Sequence, residues 1–79
     1  MNRYTVILEY EEGDGYAASV PALPGCFTQG VTVDQALERA REAIAGHIAA
    51  LVDTGQSVPM ETTALIVAAV DVESHSSAA

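Results

Sequence analysis

The chain begins with strict alternation. Across residues 4–10, Tyr4, Val6, Leu8 and Tyr10 fall on one side and Thr5, Ile7 and Glu9 on the other, the two-residue period of a strand with one face turned inward. Residues 11–15 (EEGDG) interrupt the pattern; Gly13 and Gly15 can take positive φ, and Asp14 can bond local backbone N–H groups, so a tight turn is expected. Residues 16–20 (YAASV) return as a second strand, antiparallel because the connection is short. The chain then bends through PALPG. Pro21 cannot donate to a ladder, Pro24 fixes its own φ, and Gly25 admits a backbone angle closed to other residues. Two prolines and a glycine within five positions form an elbow from which residues 26–29 re-enter as a short third strand, ended by Gly30.

From Thr32 the period changes. The Thr32 hydroxyl can accept from the Gln35 N–H while Gln35 reaches back, a capping-box arrangement. Val33, Ala36, Leu37, Ala40, Ile44, Ile48, Leu51 and Val52 follow in steps of three and four, which predicts an amphipathic helix over residues 33–53. Gly55 is placed to cap it and Pro59 to prevent its resumption. Such a helix is about 31 Å long, more than these strands need for cover. Ala43, Gly46 and Ala50 form a second, small-residue strip on its distal half. Residues 64–72 (ALIVAAVDV) are almost continuously apolar and predict a strand buried on both faces. Following a crossover helix, it is expected to lie parallel to the first strand, on that strand's open edge.

The predicted class is α+β with the order β-β-β-α-β: a three-stranded antiparallel meander, one helix on one face, and a fourth strand beside the first. Residues 1–73 form one domain, and residues 74–79 (SHSSAA) a frayed tail. One helix covers only one face of a sheet, so Ile7 and some of Ile66, Ala68, Val70 and Val72 are left facing solvent. That favours a homo-oligomer, a dimer or tetramer.

Composition sharpens this reading. A chain of 79 residues buries only about 60–65% of its unfolded surface, and without tryptophan its core must come from Val, Leu, Ile and Ala. Three basic residues, all Arg, stand against eleven acids, a formal net charge of −8. This opposes binding to a phosphate backbone and suits a basic protein partner. A single cysteine, Cys26, excludes an intrachain disulfide framework. No signal-peptide pattern or bilayer-length apolar run is present, so a cytoplasmic protein is expected.

Catalytic constellations are weak. Glu9, a helix acid (Glu38 or Glu42) and Asp71 could in principle converge on a divalent metal, as in a metal-dependent nuclease. The helix acids, however, lie off the apolar stripe, and Glu9 neighbours Glu11 and Glu12 in what reads as a solvated cluster. His47 sits on or beside the stripe, where a partly buried histidine is the ordinary outcome; His75 lies in the tail. Cys26 with either histidine lacks a placed orienting group. No catalytic, metal or cofactor site is predicted.

A tyrosine strand followed by GY-A-S-VPALPGCFTQG-T-V-QAL-AREAI resembles the N-terminal domain of HicB-type antitoxins over residues 4 to about 59, with PALPGCFTQG the most specific part. The resemblance implies a partial ribonuclease H-like fold without nuclease activity, in a bacterial or archaeal protein. It also implies a partner: a small, basic HicA-type toxin that cleaves mRNA with a histidine which the antitoxin covers. On this reading Glu9, Glu11, Glu12 and Asp14 are expected to meet the basic toxin, an assignment resting on charge, while Pro21, Pro24, Gly25 and Gly30 shape the elbow and the start of the helix. Many HicB proteins also carry a C-terminal promoter-binding domain. These 79 residues hold no basic DNA-reading segment, so direct DNA binding is not expected of them, and an orphan oligomeric binding module remains the alternative.

Overall fold

Three strands and one helix organise the chain: β1 (Ile7–Glu11), β2 (Gly15–Ser19), β3 (Phe27–Gly30) and α1 (Val33–Asp53). The computed structural model describes residues 2–61 and 65–74. The sheet is antiparallel in the order β1-β2-β3, an α+β arrangement, with Glu9 opposite Ala17 and Ala17 opposite Gln29. This register sorts the side chains cleanly. Leu8, Tyr10, Tyr16, Ala18, Thr28 and Gly30 share the face that α1 covers. Ile7, Glu9, Ala17, Ser19, Phe27 and Gln29 share the opposite, open face.

The first connection is a tight turn in which Asp14 N–H donates to the Glu11 carbonyl (2.9 Å) and Gly13 takes φ 85°, the positive angle a type II turn requires at its third residue. The elbow consists of two successive turns. Leu23 N–H donates to the Val20 carbonyl across Pro21, and Cys26 N–H to the Leu23 carbonyl across Pro24 and Gly25, both at 3.0 Å; Gly25 has φ 84°. Val20 N–H then reaches the Cys26 carbonyl at 3.1 Å and closes the loop. Leu23, at its centre, is the largest fully buried side chain. With Val20 and Cys26 it forms the core, flanked by Tyr4, Val6, Ala43 and Ile44. The elbow is therefore itself the centre of the core.

The helix spans the expected residues. Thr32 accepts from Gln35 N–H at 3.0 Å, and the Gln35 carboxamide accepts from Val31 N–H at 2.7 Å, one residue before the position a capping box uses. At the far end Gly55 (φ 72°) donates to the Val52 carbonyl and Gln56 to that of Leu51, the paired bonds of a Schellman cap. The covered stripe is rotated from the expected one. Ala36 and Ala40 are buried, with Ala43, Ile44, His47, Ile48 and Leu51 half-buried behind them, whereas Val33, Leu37 and Val52 are exposed. Small side chains face the sheet because the contact is close. A Cβ on Gly30 would collide with the Ala36 backbone, which leaves no room for Leu37 on that side. Ala43 accordingly belongs to the core surroundings and not to a separate strip.

The fourth strand is a point of difference. Residues 65–74 form no strand, and Ile66, Val67, Val70 and Val72 are between 82% and 88% exposed; Ala64 and residues 75–79 lie outside the described residues. The chain does return towards β1 after the helix, but side chains make the contact. Tyr4 Oη donates to the Pro59 carbonyl at 2.7 Å, and the Glu61 carboxylate accepts from Thr5 N–H (2.8 Å) and from the Thr5 hydroxyl. Extending the β1–β2 register places Thr5 opposite Pro21, where β2 has already turned away, and Glu61 fills that ladder position. Beyond it the chain projects. The radius of gyration is 16.5 Å and the long axis 55 Å, against about 12 Å for the radius of a compact chain of this length. A strand apolar on both sides would leave one side against solvent on a lone sheet whose single helix covers one face.

Candidate functional site

Because α1 packs on one side of the sheet, the other face is left uncovered among the described residues. Alternation out of the elbow decides which side chains it carries: Cys26 points into the core, so Phe27, the next residue and the only phenylalanine, points out. Phe27 is 73% exposed. With Glu9, Ala17, Ala18, Ser19, Thr28 and Gln29 it lines an open depression of about 490 Å³. Across the sheet, the row Ile7–Ser19–Phe27 is largely apolar and the row Glu9–Ala17–Gln29 is polar and acidic.

Glu9 and Glu11 project from β1 onto this open face, and Glu12 and Asp14 occupy the adjoining turn. All four are exposed, and among the described residues none forms an ion pair. Of the three arginines, Arg41 pairs with Glu38 on the helix at 2.8 Å, and Arg39 Nη1 donates to the Gln29 carbonyl at 3.1 Å. These four carboxylates thus lack an ion-pair partner among the described residues, an arrangement that attracts a cationic surface.

Pro21, Pro24 and Gly25 lie in the elbow turns, and Gly30 lies under the helix; none of the four faces the depression. The carboxylates weighed for a metal do not converge. Glu9 stands on the open face, Glu38 and Glu42 are exposed on the helix behind the other face, and Asp71 is in the projecting segment. Among the described residues no group of three His, Cys, Asp or Glu side chains is placed to hold a metal. Cys26 is buried, and burial pushes its thiol pKa up, the opposite of what activates a nucleophile. His47 is half-buried on the helix, and His75 lies outside the described residues. Phe27 was not among the residues expected to matter. The signal was available in its position immediately after an inward-facing residue on a strand.

The chain is similar to known proteins. The chain is 44% identical over 59 residues to a UPF0150 protein of Thermoplasma acidophilum, covering 75% of this chain and 86% of that one. It is 45% identical over 58 residues to a UPF0150 protein of Synechocystis, covering 73% of each. The crystal structure of the N-terminal domain of the Burkholderia pseudomallei antitoxin HicB superposes with a TM-score of 0.66 at 30% identity, over 77% of this chain and 70% of that one. Residues 4–77 match the family model described as the HicB-like antitoxin of bacterial toxin–antitoxin systems. With its meander, elbow and single packed helix, the chain belongs to the HicB-like antitoxin family.

Proposed function

We propose that this chain is the antitoxin of a type II toxin–antitoxin system and that it binds and inhibits a small, basic HicA-type toxin that cleaves mRNA. The observation that carries the reading is the family match across residues 4–77. The net charge of −8 supports it, as do four exposed carboxylates at one end of the sheet that form no ion pair among the described residues. Glu9, Glu11, Glu12 and Asp14 steer and contact the toxin, because opposite potentials raise encounter rates and fix orientation. Phe27 supplies an apolar anchor on the same face, towards the other end of the strands, the kind of exposed aromatic that concentrates binding energy. Inhibition is by occlusion, so the chain needs no catalytic group or cofactor. It acts in the cytoplasm, where the toxin's mRNA substrate is, and as a homo-oligomer; residues 1–73 form the working domain and residues 74–79 a tail.

The test is to mix the purified chain with the product of any adjacent small basic reading frame and to follow binding and RNA cleavage together. Tight, salt-sensitive binding that stops cleavage is expected. The triple variant Glu9→Lys, Glu11→Lys, Glu12→Lys should weaken it by at least about tenfold, each tenfold being about 1.4 kcal/mol. Cleavage that continues at saturating antitoxin overturns the reading. The uncovered apolar segment at residues 65–72 favours a second one, an orphan oligomeric module, if no toxin is bound.

A further inference from the structure

The two edges of the sheet are not alike. In the β2–β3 ladder Val20 N–H donates to the Cys26 carbonyl, so the even-numbered residues of β2 bond to β3 and its odd-numbered residues bond to β1. It follows that Ile7, Glu9 and Glu11 bond inward, while Leu8 and Tyr10 present their N–H and C=O groups at the outer edge of β1. On β3 the outward groups belong to Phe27 and Gln29, and Arg39 already occupies the Gln29 carbonyl. Nothing comparable covers Leu8 or Tyr10 among the described residues. A bare edge of this kind is a template for another strand.

The same chain carries a strand without a sheet. Residues 65–72 (LIVAAVDV) hold no proline or glycine and no charge before Asp71, the composition of a segment that pairs readily. They stand clear of the body, with four β-branched side chains between 82% and 88% exposed. A stable interface buries about 800 Å² on each partner. A two-fold pair brings two such segments to two β1 edges, each segment carrying four side chains that are almost fully exposed in the single chain.

We infer that residues 65–72 complete the sheet in trans, each copy adding its segment as a fourth strand to the free β1 edge of a second copy. This deepens the homo-oligomer part of the function proposed above and does not depend on toxin binding. A two-fold arrangement satisfies both copies at once and closes without leaving a further edge of the same kind. The tether at the base of the segment is the Glu61–Thr5 contact, which holds the departing chain at the N-terminal end of its own β1.

Light scattering of the full chain, native and with Val67→Pro plus Val70→Pro, tests the exchange. Positions 67 and 70 differ in parity, so one of the two prolines removes a donor facing β1 in either register; neither touches the body, so the helical circular dichroism should be unchanged. The expected result is a native dimer or a multiple of it, and a variant at the mass of one chain. A native monomer at high micromolar concentration overturns both the exchange and the oligomer reading. A dimer that survives both prolines overturns the exchange alone and leaves an oligomer built on another surface. Mixing a Tyr10→Cys chain with a Val70→Cys chain supplies the second readout. Disulfide-linked heterodimers support pairing in trans, whereas a bridge that forms only within one doubly substituted chain overturns it in favour of pairing in cis.

Discussion

Gly30 and Ala36 meet backbone to backbone. A Cβ built on Gly30 would strike the Ala36 amide nitrogen and lie 2.8 Å from the Ala36 Cα. The helix rests on β3 at this point, and the contact sets how close α1 comes to the helix-covered face. Gly30→Ala is therefore expected to cost about 3 kcal/mol or more, above the usual range for overpacking because rigid backbone must move. Gly25→Ala provides the contrast. Its Cβ meets nothing within 4 Å, and only the φ of 84° is unfavourable, so about 1–2 kcal/mol is expected. Urea denaturation of both variants tests the ranking, and an equal loss for the two would remove the close-approach argument.

Leu23→Ala should be the most damaging single truncation in the elbow. Leu23 is the largest fully buried side chain and is centred between Val20 and Cys26. Truncations of this kind cost about 2–5 kcal/mol. A domain of this size has roughly 0.05–0.15 kcal/mol of stability per residue, so a substantial unfolded fraction at 37 °C is expected. Thermal melting followed by circular dichroism measures it.

The Glu61 tether makes a pH-dependent contribution. The Thr5 hydroxyl first, and then the Thr5 backbone N–H, hold the Glu61 carboxyl below its ordinary value of 4.5. A depressed carboxyl stabilises the fold fully above that ordinary value, and the contribution is lost as the pH falls through the lowered one. Glu61→Gln should narrow the stability gap between pH 7 and pH 3, leaving the variant nearer to the native protein at low pH than at neutrality. Parallel melts at the two pH values read this directly, and an identical pH dependence in both proteins would rule the tether out.

Phe27→Ser separates binding from folding. The side chain is 73% exposed on the open face, where substitutions usually change stability by less than about 0.5 kcal/mol. Unchanged melting with weaker inhibition of the toxin is the expected outcome, and a large loss of stability would show that Phe27 is structural.

Cys26 should be inert in the native state. It is buried, and desolvation raises its thiol pKa, which suppresses the reactive thiolate. Titration with a chromogenic disulfide should be slow in buffer and fast in denaturant; rapid labelling of the native chain would indicate that the elbow opens.

Much of this fold was legible in local chemistry. The 21 residues of α1 follow from one cap at Thr32, one at Gly55 and an apolar period between them. The alternation across residues 4–10 assigned Ile7, Leu8, Glu9 and Tyr10 to their faces, although the ladder begins only at Ile7 and runs on through Glu11, which reads as part of the turn. The apolar stripe was less exact because periodicity ranks residues by hydrophobicity. Close packing at Gly30 instead selected Ala36 and Ala40 for the buried face and left Val33 and Leu37 exposed.

The sequence by itself determined three strands, the helix, their order and the chain's acidity, since caps, turns and periods act over a few residues and charge simply sums. It also singled out the PALPG elbow, through residues whose backbone freedom is restricted or widened. Only the tertiary structure decided that Leu23 is the centre of the core, that Phe27 faces solvent beside Glu9, and that residues 65–72 stay off their own sheet. Those outcomes depend on which surfaces are already covered. The single helix covers one face of the sheet, and that long-range fact cannot be read from any short window of the chain.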